Sequence, residues 1–363
     1  SLHDALPISQ IFNNTLSNPS ILDWYTGINV DLSCFNITIH QNSISGYRVP
    51  IKFQNSNNLT ITENSITSLG THALFTQTSN VSYLNNIHSV PVGNPLDKFL
   101  VVFDCNRSSF KNNMFNIIKT QGAERYPFSF PNNFHEYIFS FDESNTLNGK
   151  MIKMMKHQNA QNLDLSTIPN LGMLYLLNVT DSVLRNGNIT NAGGIYSSHY
   201  CNNNTYINNT VLNSCNNGLI IETNQQDTKI INCTFNGNAR YGIYISNGMK
   251  FLINTTKCNM NHIGILVDSN FNLGEISSCR IENNGNPMIS STENYDKTGG
   301  GIIIRFASNL NIFNNEIYKN WYYGLMLGQP MSNGMSGNEI QFNRIGQLIN
   351  ILEKKYGVSA IDN

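Results

Sequence analysis

The chain has 363 residues, with 22 Lys and Arg against 23 Asp and Glu, for a formal net charge of -1. Charged residues make up only 12% of it, about half the usual share for a soluble domain. No sizeable basic block occurs, which argues against a nucleic-acid partner, and no run of about 18 apolar residues occurs, so no segment reads as a membrane-spanning helix. The outlier is Asn, at 61 of 363 residues. An Asn-rich chain is either low-complexity or a repeat with Asn at its turns. Apolar residues recurring in register with the Asn decide for the repeat.

In chain order, residues 1–9 read SLHDALPIS and carry none of that register. Pro7 is poorly suited to an interior strand. Back-translated, the stretch resembles the 3′ part of a widely used short-read sequencing adaptor. Residues 1–9 are therefore read as adaptor-derived, with the natural chain and any signal region lying upstream.

Residues 10–118 read as the first coils of the repeat. Short apolar strands end in a polar residue, one more residue and an apolar one, as in NLTITENSI at 58–66 and NVSYLNNI at 80–87. Residues 119–170 break the repeat and are rich in aromatics and Lys. On residues alone they suggest an inserted β-hairpin, with EYIFSFDES and GKMIKMM as strands joined across Leu147 and Asn148. Residues 171–348 return to regular coils. There a motif of Gly, apolar, any residue, apolar begins at Gly193, Gly218, Gly242, Gly264, Gly301 and Gly324. Counted from Gly194, its gaps are 24, 24, 22, 37 and 23 residues. The long gap holds a polar stretch at 285–299, broken by Pro287, which reads as a loop inserted between coils. Residues 349–363 lack the repeat and read as a tail or cap.

A period near 23 residues, with strands of three to five, does not suit a helical repeat. Strands so short cannot bury a face as single hairpins. Stacked coils can, and they make the parallel β-helix the expected fold: all-β, right-handed, about ten or eleven coils of 21–25 residues. In GIYI, Ile243 and Ile245 should face in and Tyr244 out. Each Gly should permit a tight bend. One column of small polar residues should stack from coil to coil, with Asn42, Asn64, Asn85, Ser108, Thr210, Cys233, Cys258, Cys279, Asn315 and Asn338 as members. Cys233, Cys258 and Cys279 then form a buried thiol stack. Seven cysteines without CxxC spacing do not suggest zinc.

The stretches SNTLNGKMIKMMKHQNA, IPNLGMLYLLNVTDSVLRNGNITNAGGIYSS and NNNTYINNTVLNSCNNGLII resemble the NosD-like right-handed β-helix family, over roughly residues 144–346. The resemblance implies that the coil continues through 119–170 with irregular excursions, and that the protein works outside the cytoplasm, secreted, periplasmic or on the cell surface. It implies polysaccharide or cell-surface glycan as the partner, or an accessory role in copper-site maturation.

Two chemistries can be built from the residues. Copper(I) prefers Met, Cys and His, and MIKMMKHQ would place Met151, Met155 and His157 on one strand face. Met residues filling irregular core space explain the same pattern, so no metal and no cofactor is expected. Hydrolysis of a glycoside needs two carboxylates. The position four after each repeat Gly gives Ser198, Glu222, Ser246, Asp268, Arg305 and Gly328. On stacked coils these form one ridge, with Glu222 and Asp268 two coils or ~10 Å apart. They are the candidate catalytic pair, with Tyr244, Arg305, Tyr322 and Tyr323 as candidate substrate contacts. A solvated ridge of a non-catalytic, adhesin-like or carbohydrate-contacting rod would show the same residues. That non-enzymatic reading leads, and the inverting hydrolase stands as its alternative. Sequons at Asn36, Asn58, Asn80, Asn178, Asn208, Asn232 and Asn254 mark possible glycan sites, although turn chemistry produces the same triplets.

Overall fold

The computed structural model describes residues 9–18, 25–30, 34–68, 70–91, 99–120, 126–129, 139–223, 225–268, 271–285, 299–305, 307–321, 324–328, 339–341, 344–345, 349–351 and 359–361. The fold is an all-β right-handed parallel β-helix of roughly ten or eleven coils. Two compact units divide it, the first Ser1–Thr120 with Glu124–Lys153, the second Gln121–Ala123 with Met154–Asn363.

In the second unit every full coil contributes three strands. One coil runs Tyr241–Ser246, Gly248–Asn254 and Lys257–Asn259, and the next repeats the order at Ile263–Asp268, Phe271–Ser277 and Arg280–Glu282. Equivalent strands pair in parallel, so three sheets run along the stack. We call the first the glycine sheet, because the repeat Gly motif builds it. Alternation sends Ile243, Ile245, Ile265, Val267, Ile302 and Ile304 into one continuous core. The opposite face of the glycine sheet is also buried: Tyr241, Ile263, Leu266, Ile303 and Met326 form a second apolar cluster with Tyr244 packed against it. Tyr244 is therefore not the freely exposed outer residue that alternation alone suggests.

The repeat Gly residues are needed for close approach between coils. A Cβ on Gly218 would lie 2.5 Å from the Gly242 carbonyl oxygen, on Gly242 2.6 Å from that of Gly264, and on Gly301 2.4 Å from that of Gly324. None of these has a positive φ. Their role is to let backbones touch, where the sequence had suggested a bend.

The Asn columns obey a two-residue rule. At most corners a residue in the left-handed region is followed by a buried small polar one. The left-handed column between the third strand and the glycine sheet is Asn191, Asn213, Gly237, Met260, Asn283 and Lys319. The residues just after its later members form the buried ladder Asn238, Asn261, Asn284 and Asn320. From Asn261 onward, each amide oxygen accepts from the backbone N–H and the Nδ2 of the Asn one coil earlier, at 2.9–3.1 Å. Asn is used twice for different reasons: it tolerates positive φ outside, and its amide caps backbone groups inside.

The first unit carries its own ladder, Asn14, Asn42, Asn64, Asn86, Asn113 and Asn145. Its outer column holds Asn13, Gln41, Glu63, Asn85 and Asn112, all with positive φ. Asn85 is thus the outer neighbour, and Asn86 the ladder member. In the second unit the expected column also shifts. Its members are Asn209, Cys233, Thr256, Cys279 and Asn315, as the contacts of Cys233 with Thr256 and of Cys279 with Asn315 require. Thr210 stands one place too far along, and Ser108 pairs with Phe139 in a different column. Cys258 is a strand residue in register with Phe235 and Ile281. The three-cysteine stack therefore does not form, and all seven cysteines are free thiols. Asn338 lies outside the described residues.

Within residues 119–170, a tight hairpin joins Thr146–Leu147 to the start of Lys150–Asn159 across Asn148 and Gly149. Both turn residues have positive φ, 51° and 75°, the requirement of a two-residue hairpin turn. Phe139–Phe141 is not its partner but pairs in parallel with the Ser108–Lys111 strand, as part of a coil. Gly285 and Gly299, with φ of 105° and 81°, flank the insertion whose interior lies outside the described residues.

Candidate functional site

The ridge at the end of the glycine sheet forms in register. Ser246 pairs with Asp268 and Arg305 with Gly328. The preceding residues Ile221 and Ile245, and Val267 and Ile304, pair likewise, so Glu222 and Arg305 fall into the same row. At ~4.8 Å per coil, Glu222 and Asp268 stand ~10 Å apart along it.

Each carboxylate is held by a neighbour. The Tyr196 hydroxyl donates to Glu222 Oε2 at 2.8 Å. Tyr196 is itself buried, its ring 5.5 Å from that of Tyr175. Below Glu222, the buried Gln225 donates through Nε2 to the backbone carbonyls of Glu222 and Ser197 at 2.8 and 2.7 Å. Gln225 stiffens the strand end. Sequence reasoning missed it, since a lone Gln among turn residues gives no periodic signal. Arg305 Nη2 donates to Asp268 Oδ2 at 2.7 Å, with both side chains mostly buried at 15% and 13% exposure. The other oxygen, Asp268 Oδ1, is buried and has no hydrogen-bond partner. A buried acceptor in that condition is unfavourable and calls for a donor.

Tyr244 lies half-buried, 5.2 Å from the Tyr241 ring. Tyr322 and Tyr323 lie outside the described residues. Met155 is buried in the main core cluster, Met151 is half-buried and His157 is exposed, its Nδ1 accepting from Asn178 Nδ2 at 3.1 Å. Among the described residues, no group of three or more His, Cys, Asp or Glu is placed to hold a metal ion. No helix among them is long and apolar enough to cross a membrane.

A second concavity begins a few residues beyond the ridge. An open groove of about 390 Å³ is lined by Asp227, Lys229, Lys250, Leu252, Leu273 and Glu275, among others. Lys250 and Asp227 pair across it at 2.7 Å. Leu273 is 47% exposed with φ of 69°, a backbone state unfavourable for a branched apolar side chain.

Sheet order, register and core define the class, a right-handed parallel β-helix. Residues 217–363 match the family described as "Right handed beta helix region". No curated protein matches the chain. Among solved structures, the chain is similar to the mannuronan C-5 epimerase AlgE6 A-module of Azotobacter vinelandii, at 11% identity and a TM-score of 0.39, covering 97% of this chain and 90% of that one. It is also similar to a PL6 alginate lyase in complex with trisaccharide, at 12% identity and a TM-score of 0.33, covering 98% and 85%. The periplasmic alginate epimerase AlgG is similar at 11% identity and a TM-score of 0.33, covering 90% and 76%.

Proposed function

We propose that this chain is a non-catalytic, extracytoplasmic β-helix protein that contacts polysaccharide along the ridge of Glu222, Ser246, Asp268 and Arg305. The observation that carries this reading is the row itself, in which Glu222, held by the Tyr196 hydroxyl, and Asp268, held by Arg305, stand in register at one end of the glycine sheet. Asp268 Oδ1 itself is closed to a surface ligand, so a sugar hydroxyl meets the Asp268 carboxylate only when the Asp268–Arg305 pair turns outward. Glu222, oriented by Tyr196, offers a second acceptor in the same row, so a polymer lying along the stack meets acceptors at intervals of the coil repeat.

A second reading, inverting hydrolysis of a polysaccharide, draws on the same pair. Two carboxylates ~10 Å apart along the backbone stand near the ≈ 6.5–9.5 Å that inversion uses, and side-chain rotation can close the difference.

One experiment separates them. The full chain, Glu222→Gln and Asp268→Asn are tested for retention on a panel of immobilised polysaccharides, with reducing ends assayed in the same samples and folding checked by circular dichroism. The binding reading expects retention by the parent, weakened about tenfold or more in each folded variant, and no new reducing ends. Release of reducing ends by the parent and not by Glu222→Gln establishes the hydrolase. Absence of retention and release across the panel overturns both.

A further inference from the structure

In the second unit, the second strand of successive coils carries one left-handed residue. Met249 pairs with Asn272 and Phe251 with Gly274, so Lys250 and Leu273 fall opposite each other. By the same count Asp227 stands before Lys250, and Asn309 after Leu273. All four have φ between 53° and 69°. Two places on, Lys229, Leu252 and Glu275 form a parallel column. The two columns wall the open groove of about 390 Å³, a size within the range of ligand sites.

A like bend in the first unit shows what such a column can hold. There Asn36, Asn58 and Asn80 stand opposite one another, all with positive φ, and Thr38, Thr60 and Ser82 follow two places on. The amides are chained, Asn80 Nδ2 donating to Asn58 Oδ1 and Asn58 Nδ2 to Asn36 Oδ1, at 3.1 Å each. Asn tolerates that backbone and satisfies its neighbour. Leu273 does neither: its backbone state disfavours it, and its side chain stays exposed. A residue held in strain without a return in burial points to a function for the side chain.

The groove is apolar in the middle and polar at both ends. Half-buried Leu252 lies diagonal to Leu273, and together they make an apolar floor. At one end Lys250 Nζ meets Asp227 Oδ1 at 2.7 Å, an exposed pair that a ligand can open at little cost. At the other, Ser277 Oγ donates to Glu275 Oε1 at 2.7 Å and accepts from Asn254 Nδ2 at 2.9 Å. This fixes the Glu275 carboxylate and leaves Oε2 as an acceptor. Asp227 and Glu275 balance Lys229 and Lys250, so the lining selects no ion by net charge. A peptide strand would need backbone partners, and none are on offer. The strands Gln225–Ile231, Gly248–Asn254, Phe271–Ser277 and Ala307–Phe313 are each paired on both sides.

We propose that this groove is a second saccharide site, which takes an uncharged pyranose segment with its apolar C–H face on Leu252 and Leu273 and its hydroxyls on Asp227, Lys250 and Glu275. Four coils at ~4.8 Å give it room for a few rings. The proposal rests on the reading that the chain contacts polysaccharide, but uses none of the ridge residues.

The test uses the full chain with ¹³C-methyl leucine, titrated with cello-, malto-, laminari- and mannohexaose, with an acidic oligogalacturonate and with hexanol. The Leu252 and Leu273 methyl signals, assigned by their loss in Leu252→Thr and Leu273→Asn, should shift with at least one neutral hexasaccharide. Leu273→Asn should melt no lower than the parent yet bind that sugar about tenfold more weakly, as expected for one lost apolar contact, and Leu273→Met should bind nearly as the parent does. In Asp268→Asn the methyl shifts should persist, so a failed ridge leaves the groove standing. Retention that Asp268→Asn abolishes, with both methyls unmoved, leaves the ridge and overturns the groove. No methyl shift with any neutral hexasaccharide up to about 10 mM, shifts with the acidic sugar or hexanol alone, or undiminished affinity in folded Leu273→Asn also overturns it. If Leu273→Asn does not fold, the parent's methyl shifts decide.

Discussion

Replacing Asn261 by Ala tests the ladder that ties each coil to the next. Asn261 is fully buried. Its Oδ1 accepts from the Asn238 N–H at 3.0 Å and from Asn238 Nδ2 at 2.9 Å, while its Nδ2 donates to the Phe235 carbonyl at 3.0 Å and to Asn284 Oδ1 at 3.1 Å. Asn284 Oδ1 keeps a donor after the substitution, because the Asn261 backbone N–H also reaches it at 3.0 Å. The Asn238 N–H, its amide and the Phe235 carbonyl each lose a partner in a dry interior. At about 1–3 kcal/mol for each buried group that loses its partner, the loss should be about 3–9 kcal/mol. The control is Asn283→Gly, in the exposed left-handed column of the same corner, with φ of 53°. Gly accepts that backbone, and its change should stay within about 0.5 kcal/mol. Urea unfolding followed by far-ultraviolet circular dichroism gives both values from the midpoints. A loss below about 1 kcal/mol for Asn261→Ala, or an equal loss for Asn283→Gly, would refute the division into a buried capping column and an outer turn column.

Other substitutions read the same logic elsewhere. Gly301→Ala places a Cβ 2.4 Å from the Gly324 carbonyl oxygen, and should destabilise by about 1–3 kcal/mol in the same assay; a neutral result would mean the coils can separate locally. Leu273→Asn should raise stability by about 0.5–1 kcal/mol, because the left-handed state costs a non-glycine residue about 1–2 kcal/mol and Asn less; a lower melting temperature would show that Leu273 makes a packing contribution larger than its strain. Burial pushes the thiols of Cys105 and Cys279 up to about 12 and that of Cys233 to about 11. At about pH 8, mass spectrometry should find alkylation of the folded chain at the half-buried Cys34 first, with the other three modified only after unfolding. Rapid labelling of Cys233 or Cys279 in the folded protein would contradict their placement.

The fold was legible because the β-helix writes itself into the sequence twice, as a period near 23 and as apolar alternation within each strand. The ridge was equally legible, since counting four residues from each Gly needs no knowledge of where side chains point. What escaped depended on register to one residue. Asn85 and Asn86 are both Asn, and only pairing with Ser65 shows that Ile87 faces out and His88 faces in. Cys258 looked like a neighbour of Cys233 and Cys279 because spacing alone cannot separate a corner from the strand one place beyond it. A hairpin was expected across Leu147 and Asn148; its turn falls one residue later, at Asn148 and Gly149, and its first strand is Thr146–Leu147, because Phe139–Phe141 has strand character and pairs elsewhere. The Asp268–Arg305 pair was foreseen as adjacency on the ridge. The partnerless oxygen beside it depends on side-chain placement, which no spacing encodes.

The most direct measurement for the ridge is hydrogen exchange by mass spectrometry across a titration with oligosaccharides cut from any polysaccharide that the chain retains. Slowed exchange is expected in the peptides that contain Glu222, Ser246, Asp268 and Arg305, rising together with ligand, with no change in peptides from the Asn42–Asn64 coils and no slowing in Asp268→Asn. Slowed exchange confined to other faces, or the same protection in Asp268→Asn as in the parent, would contradict it.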